Sequence, residues 1–295
     1  MKKKSKKFSI LLLVVCILAA AVYAGSRWYI SSLKDTASQK ISFDSDNLSV
    51  SVSVTQEELL KGVSAYDDKD GDVTDSLMIE SLSALLDGNR RIVTYAAFDG
   101  DSNVGKAQRQ IVYTDYTSPR LSLTEPLVSV SATAGSAELV KGLTATDCID
   151  GDITDEMVLL SSNEEITVGG APMRVVKIQV TNSCGDIAEA DIPVMINTSW
   201  TSAASDCYVA LSDYLIYVEK GESFDPLSLV TEVRINGNDA EASLLSVATN
   251  LNTETAGTYA VIYTAGEGDG AMQVPLIVIV SESRQLTTAE LRACF

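Results

Sequence analysis

The 295-residue sequence contains no histidine. That absence removes the usual general base of nucleophilic triads and the commonest transition-metal ligand. Basic residues are scarce beyond the N-terminus. The first thirty positions hold six of them (Lys2, Lys3, Lys4, Lys6, Lys7 and Arg27) and no acidic side chain, which leaves 16 basic against 40 acidic residues in the remainder. A body this acidic repels phosphate backbones, which argues against nucleic acid as a partner. Acidity favours solubility and, where carboxylates converge, divalent cations.

What the N-terminus does contain is five lysines within its first seven residues, followed by an unbroken apolar run over residues 10–24. The basic flank is expected to stay in the cytoplasm and everything after the run to lie outside. Two readings of this segment stand. It is a signal peptide cleaved after Ala24, giving a secreted protein, since Val22-Tyr23-Ala24 is an acceptable small-residue site. Alternatively, residues 8–30 form one uncleaved membrane span, with Trp28 and Tyr29 in the interfacial belt, and the C-terminal part is extracellular. The single-pass anchor is the preferred expectation.

Self-comparison sets the domain plan. Residues 58–75 (ELLKGVSAYDDKDGDVTD) align with residues 138–155 (ELVKGLTATDCIDGDITD) at a constant shift of eighty, with most positions identical. Further on the shift becomes 83, so that Arg91, Val93, Asp99, Asn103 and Ala107 face Arg174, Val176, Asn182, Asp186 and Ala190. A third, weaker copy runs over residues 259–267 and lacks the Asp-Gly-Asp block. Apolar residues alternate in residues 92–98, 175–180 and 259–265, which predicts half-buried strands. Residues 274–280 are apolar on both faces except for Pro275, whose missing N–H suggests a sheet edge. Short strands with turn signals every 8–12 residues or so predict an all-β fold of tandem immunoglobulin-like sandwiches after an N-terminal hydrophobic helix. The expected organisation is a signal or anchor (1–30), a stalk (31–47), module one (48–117), module two (118–197), a linker (198–212), module three (213–281) and a tail (282–295) carrying a short helix near Thr287 and Glu290.

The repeated block is Gly62, Ala65, Asp67, Asp70, Gly71, Asp72, Val73 and Thr74, and again Gly142, Ala145, Asp147, Asp150, Gly151, Asp152, Ile153 and Thr154. Followed by alternating strands, it resembles the bacterial immunoglobulin-like repeats of Gram-positive surface proteins, sometimes named after a pesticidal crystal protein. The resemblance covers roughly residues 48–197 well and 213–281 loosely. Ser102 departs from the pattern where a glycine is expected. The resemblance implies an extracellular sandwich used for spacing, adhesion or ligand contact, with no shared catalytic residues.

Two constellations bear on chemistry. The acidic loops offer hard oxygen ligands suited to calcium, in a site of two neighbouring loops drawn from Asp68, Asp70, Asp72, Asp99 and Asp101. An EF-hand is excluded, because aligning Gly71 on its glycine puts Tyr66 and Leu77 at ligand positions. The simpler reading is that Asp-Gly-Asp forms a turn, its carboxylates bonding nearby backbone N–H groups. The second constellation is cysteine. By repeat register Cys148 takes the place of Asp68 and Cys184 that of Asp101, so a Cys148–Cys184 disulfide is expected if the loops meet. Cys207 and Cys294 flank module three and pair either with each other or between chains.

The function expected is an extracytoplasmic, non-catalytic structural, adhesion or spacer protein, needing no cofactor beyond an optional calcium, with a protein or glycan surface ligand. One alternative is a carbohydrate-binding module set, for which Tyr113, Tyr116 and Tyr217 are scattered rather than aligned and Trp200 sits in a linker. The other is a carboxylate-based surface hydrolase, for which no acid and base pair stands out.

Overall fold

The computed structural model describes residues 2–33, 38–87, 89–131, 133–160, 164–197 and 206–282. The chain is all-β after a long N-terminal helix, Lys2–Leu33. Within it, the 19 residues Leu12–Ile30 are long and apolar enough to cross a membrane. At about 1.5 Å per residue they span about 28 Å, close to a bilayer's hydrocarbon thickness. A signal sequence near an N-terminus has the same properties.

The chain divides into two compact units. One comprises Met1–Val50, Val54–Ser83 and Arg91–Val112; the other comprises Ser51–Ser53, Ala84–Arg90 and Tyr113–Phe295. The first unit carries module one. A three-stranded sheet orders Lys40–Phe43, Val63–Asp67 and Gly71–Asp72. A four-stranded sheet orders Asn47–Val50, Val104–Tyr113, Arg90–Phe98 and Met78–Leu82. Strand Lys40–Phe43 corrects the expected stalk: it pairs with Val63–Asp67, and its Phe43 ring lies 5.4 Å from that of buried Tyr95. Module one therefore begins near Gln39, whose side chain is already buried. The short helix Gln56–Leu60 is held by a reciprocal capping box between Thr55 and Glu58, and the Tyr95 hydroxyl donates to the Leu59 carbonyl at 2.8 Å.

Modules two and three repeat this plan. In module two, Arg120–Ser122, Thr144–Asp147 and Gly151–Asp152 form the small sheet. The large sheet is built on the hairpin Ala171–Thr181 with Ile187–Ile196. In module three, the small sheet is Tyr208–Leu211, Val230–Ile235 and Asn238–Asp239, and the large sheet orders Leu215–Glu219, Met272–Ser281, Gly257–Ala265 and Ser246–Thr249. Module three thus starts by Cys207 rather than at residue 213. Strand Met272–Ser281 is internal, not an edge. Pro275 fits because the parallel neighbour begins only opposite Ile277, so no ladder partner calls on the missing N–H. Pro193 occupies the same place in module two, two residues before the parallel pairing that starts at Met195.

The two modules of the second unit share apolar surface. Strand Gly257–Ala265, expected to be half buried, is buried on both faces. Val261 and Tyr263 fill module three's own core, while Ala260 and Ile262 pack with Val168, Ala171, Met173 and Met195 of module two. Leu215 and Ile277 likewise join module two's core cluster. The Leu121 N–H donates to the Tyr217 hydroxyl at 2.8 Å, and the Arg120 guanidinium lies 4.8 Å above the same ring. Gly169 adopts φ +56, and a Cβ there would stand 2.5 Å from the Ala248 Cβ, so only glycine allows the approach. Within the second unit, modules two and three are thus packed directly on each other.

Candidate functional site

The Asp-Gly-Asp block is first a folding device. Strand Val63–Asp67 alternates buried and exposed residues, which turns Asp67 inward with Val63 and Ala65. Asp67 Oδ1 accepts from the Lys69 N–H at 2.8 Å and the Asp70 N–H at 2.9 Å, and Gly71 completes the turn at φ +81. Asp72 Oδ1 accepts from the Thr74 N–H at 3.0 Å, and Thr74 Oγ1 accepts from the Ala65 N–H at 3.1 Å. Hydrogen bonds from Thr74 hold the Asp72 carboxyl below its ordinary range. Module two reproduces each bond through Asp147, Asp152 and Thr154. The Asp152 carboxyl is lowered in the same way by Thr154.

A second loop meets the first at this end of each sandwich. In module one, Asp70 Oδ2 accepts from the Gly100 N–H at 2.9 Å. In module two, Asp150 accepts from the N–H and hydroxyl of Ser183, both at 2.6 Å. One difference at the junction bears on Asp67 and Asp147. Module two places Asn182 where module one has Asp99. Its Nδ2 donates to Asp147 Oδ2 at 3.0 Å and to the Tyr116 hydroxyl at 2.8 Å, while its Oδ1 accepts from the Cys184 and Asp186 N–H groups. Tyr116 in turn donates to Asp186 Oδ2 at 2.7 Å. Burial and the hydrogen bond to Asp186 push the Tyr116 phenol well above its ordinary range.

In module one, Asp67, Asp70 and Asp99 converge, each offering a carboxylate oxygen within 4.8 Å of the others. Asp67 is 1% exposed, and among the described residues its Oδ2 has no hydrogen-bond partner. Burial pushes the Asp99 carboxyl up, but hydrogen bonds from the Asn103 side chain and N–H outweigh it and hold that carboxyl low.

Of the five carboxylates expected to ligate, the structure brings Asp70 and Asp99 together and engages the rest elsewhere. Asp68 pairs with Lys40 at 3.3 Å, Asp101 pairs with Lys69, and Asp72 caps its own turn. Asp67, which sequence reasoning left out, joins them. Its signal was available in the strand alternation, which places it inward.

Cys148 and Cys184, the pair expected from the repeat register, lie in these two meeting loops as separate thiols. Cys148 Sγ exchanges hydrogen bonds with the Thr117 peptide, accepting at 3.4 Å and donating at 3.2 Å, while Cys184 is buried beside Asn182. The loops meet through Asp150 and Ser183 instead, as those of module one meet through Asp70 and Gly100. Cys207 is buried in module three's core. Cys294, Trp200 and the expected tail helix lie outside the described residues.

The fold and this junction define an all-β protein of repeated sandwiches behind an apolar helix. No protein-family model matches the chain. It is 29% identical over 163 residues to the pesticidal crystal protein Cry22Aa of Bacillus thuringiensis, an alignment covering 52% of this chain and 21% of that protein. The chain thus spans about a fifth of that relative's length. Among solved structures, it is similar to CBM51-2 in complex with GlcNAc and INT domains from Clostridium perfringens ZmpB. That match is 19% identical, covers 52% of this chain and 26% of the other, and has a TM-score of 0.21. The protocadherin GammaB4 extracellular domain matches at 12% identity, covering 85% of this chain and 50% of the other, with a TM-score of 0.19. Superpositions this loose carry no functional argument.

Proposed function

We propose that the chain is a non-catalytic, extracytoplasmic surface protein, anchored through residues 8–30, whose sandwiches serve as a structural, adhesion or spacer element toward a protein or glycan partner. The observation that carries this reading is the use of one sandwich topology three times behind a basic-flanked apolar helix. The lysine cluster before that helix favours a cytoplasmic N-terminus, which sends the sandwiches outward. The interiors are filled by side chains such as Tyr95, Ile111, Ile178, Ile192, Tyr263 and Leu276, so each module offers surface and loops to a partner.

The test is protease treatment of intact bacterial cells expressing the full chain, followed by blotting for the N-terminal helix and the sandwiches separately. Loss of the sandwiches with retention of a membrane-bound N-terminal fragment supports the anchored surface protein. Sandwiches protected until lysis would overturn it, and sandwiches recovered in the medium would replace the anchor by a cleaved signal.

A further inference from the structure

We propose that Asp67, Asp70 and Asp99 of module one form a binding site for a hard divalent cation of the calcium class, and that module two has lost this site by placing the Asn182 amide where the cation would sit. Such a site would exist whether or not the sandwiches play the surface role proposed above.

One buried oxygen sets the two modules apart. Asp67 and Asp147 are the same residue in two copies of one motif, both buried, both spending Oδ1 on the two N–H groups of the turn. In module two the second oxygen receives the Asn182 Nδ2 proton at 3.0 Å. In module one the residue in Asn182's place is Asp99, an acceptor when ionised, and Asp67 Oδ2 is left with no partner among the described residues. A buried carboxylate oxygen without a donor is costly, and a second carboxylate facing it adds repulsion.

Asp99 accepts two hydrogen bonds from Asn103, whose place module two gives to Asp186. The pair Asp99 and Asn103 is therefore the pair Asn182 and Asp186 with acid and amide reversed. That reversal moves a negative charge to the position facing Asp67. A cation between Asp67, Asp70 and Asp99 satisfies the orphaned oxygen and cancels the repulsion together.

The dimensions suit calcium. The three oxygens lie within 4.8 Å of one another, close enough to share one shell with bonds of about 2.4 Å. Three carboxylates leave room for waters to complete six to eight ligands, as calcium's flexible shell allows. Bound there, the ion would tie the turn after strand Val63–Asp67 to the loop after strand Arg90–Phe98, adding to the Asp70–Gly100 hydrogen bond.

The experiment uses the full chain in non-ionic detergent, stripped with chelator and titrated with calcium chloride, reading heat of binding and the thermal midpoint of module one. Wild type is expected to bind one calcium per chain, with the midpoint rising by at least about 5 °C at saturation. Asp99→Asn copies module two. It should lose the calcium response while its chelated midpoint equals or exceeds that of chelated wild type, because Asp67 gains an amide donor. Asp70→Asn, which can still accept from Gly100, should weaken binding about tenfold or more, giving a second readout if Asp99→Asn misfolds. No calcium response in wild type at about 10 mM, above the range of weak extracellular sites, would overturn the proposal, as would an undiminished response in Asp99→Asn and Asp70→Asn.

Discussion

Replacing Ile262 by alanine tests whether modules two and three are energetically one body. The Ile262 side chain is wholly buried and packs not into its own module's core but against Val168, Met173 and Met195. The substitution removes three carbons. At about 0.8 kcal/mol for each buried methylene, the transfer loss is about 2.4 kcal/mol, and an unrelaxed cavity adds to it within the range of about 2–5 kcal/mol seen for such truncations. If the interface couples the modules, this loss lowers the opening free energy of both. Amide hydrogen exchange in native buffer reads it out, because protected amides exchange in proportion to their opening equilibrium. At about 1.4 kcal/mol per factor of ten, amides in Ile187–Ile196 and Gly257–Ala265 should both exchange about 50-fold faster. Strand Arg90–Phe98 of module one serves as the unaffected reference. Acceleration confined to Gly257–Ala265, with Ile187–Ile196 unchanged, would refute the reasoning, since it would mean that the shared apolar surface carries no coupling.

Three further outcomes are expected. Gly169→Ala combines a left-handed backbone with a Cβ 2.5 Å from Ala248, and should destabilise the second unit by about 2–4 kcal/mol in chemical denaturation. Adding Ala248→Gly should restore the steric part and not the backbone part. Tyr217→Phe leaves the Leu121 N–H without its acceptor and should cost about 1–3 kcal/mol, measured as a lowered unfolding midpoint with the Arg120 stacking retained. Burial pushes the Tyr263 phenol up, and burial with the Asp186 hydrogen bond does the same for Tyr116. The folded state therefore holds these protons where the unfolded chain, ionising near pH 10 or so, releases them. Stability from this source is fully present below that pH and falls as pH rises above it. Unfolding midpoints compared at pH values of about 9 and 11 should drop, with a shallower drop in Tyr263→Phe.

The repeat register was legible because the turn chemistry is local. Asp67, Gly71, Asp72 and Thr74 bond to residues within nine positions of themselves, so their spacing alone repeats with the fold. Strand Lys40–Phe43 was not legible, since its four residues sit in a polar stretch and owe their place to pairing with a strand over twenty residues later. The packing of module two on module three left a trace that was visible but open to another meaning. Residues 274–280 are apolar on both faces, and Pro275 pointed to an edge; the second apolar face belongs to a neighbouring module. The choice of ligating carboxylates depended on side-chain direction. Asp68 and Asp101 look equivalent to their neighbours in sequence, yet lysines 40 and 69 claim them.

The shared surface between modules two and three also constrains how such a gene can be rearranged. A recombination break in the residue 198–212 segment would leave Met173 and Met195 on one product and Ala260 and Ile262 on the other, each uncovered and prone to self-association. A duplication that reaches either of these two modules keeps this surface covered when residues 118–281 are copied as one cassette.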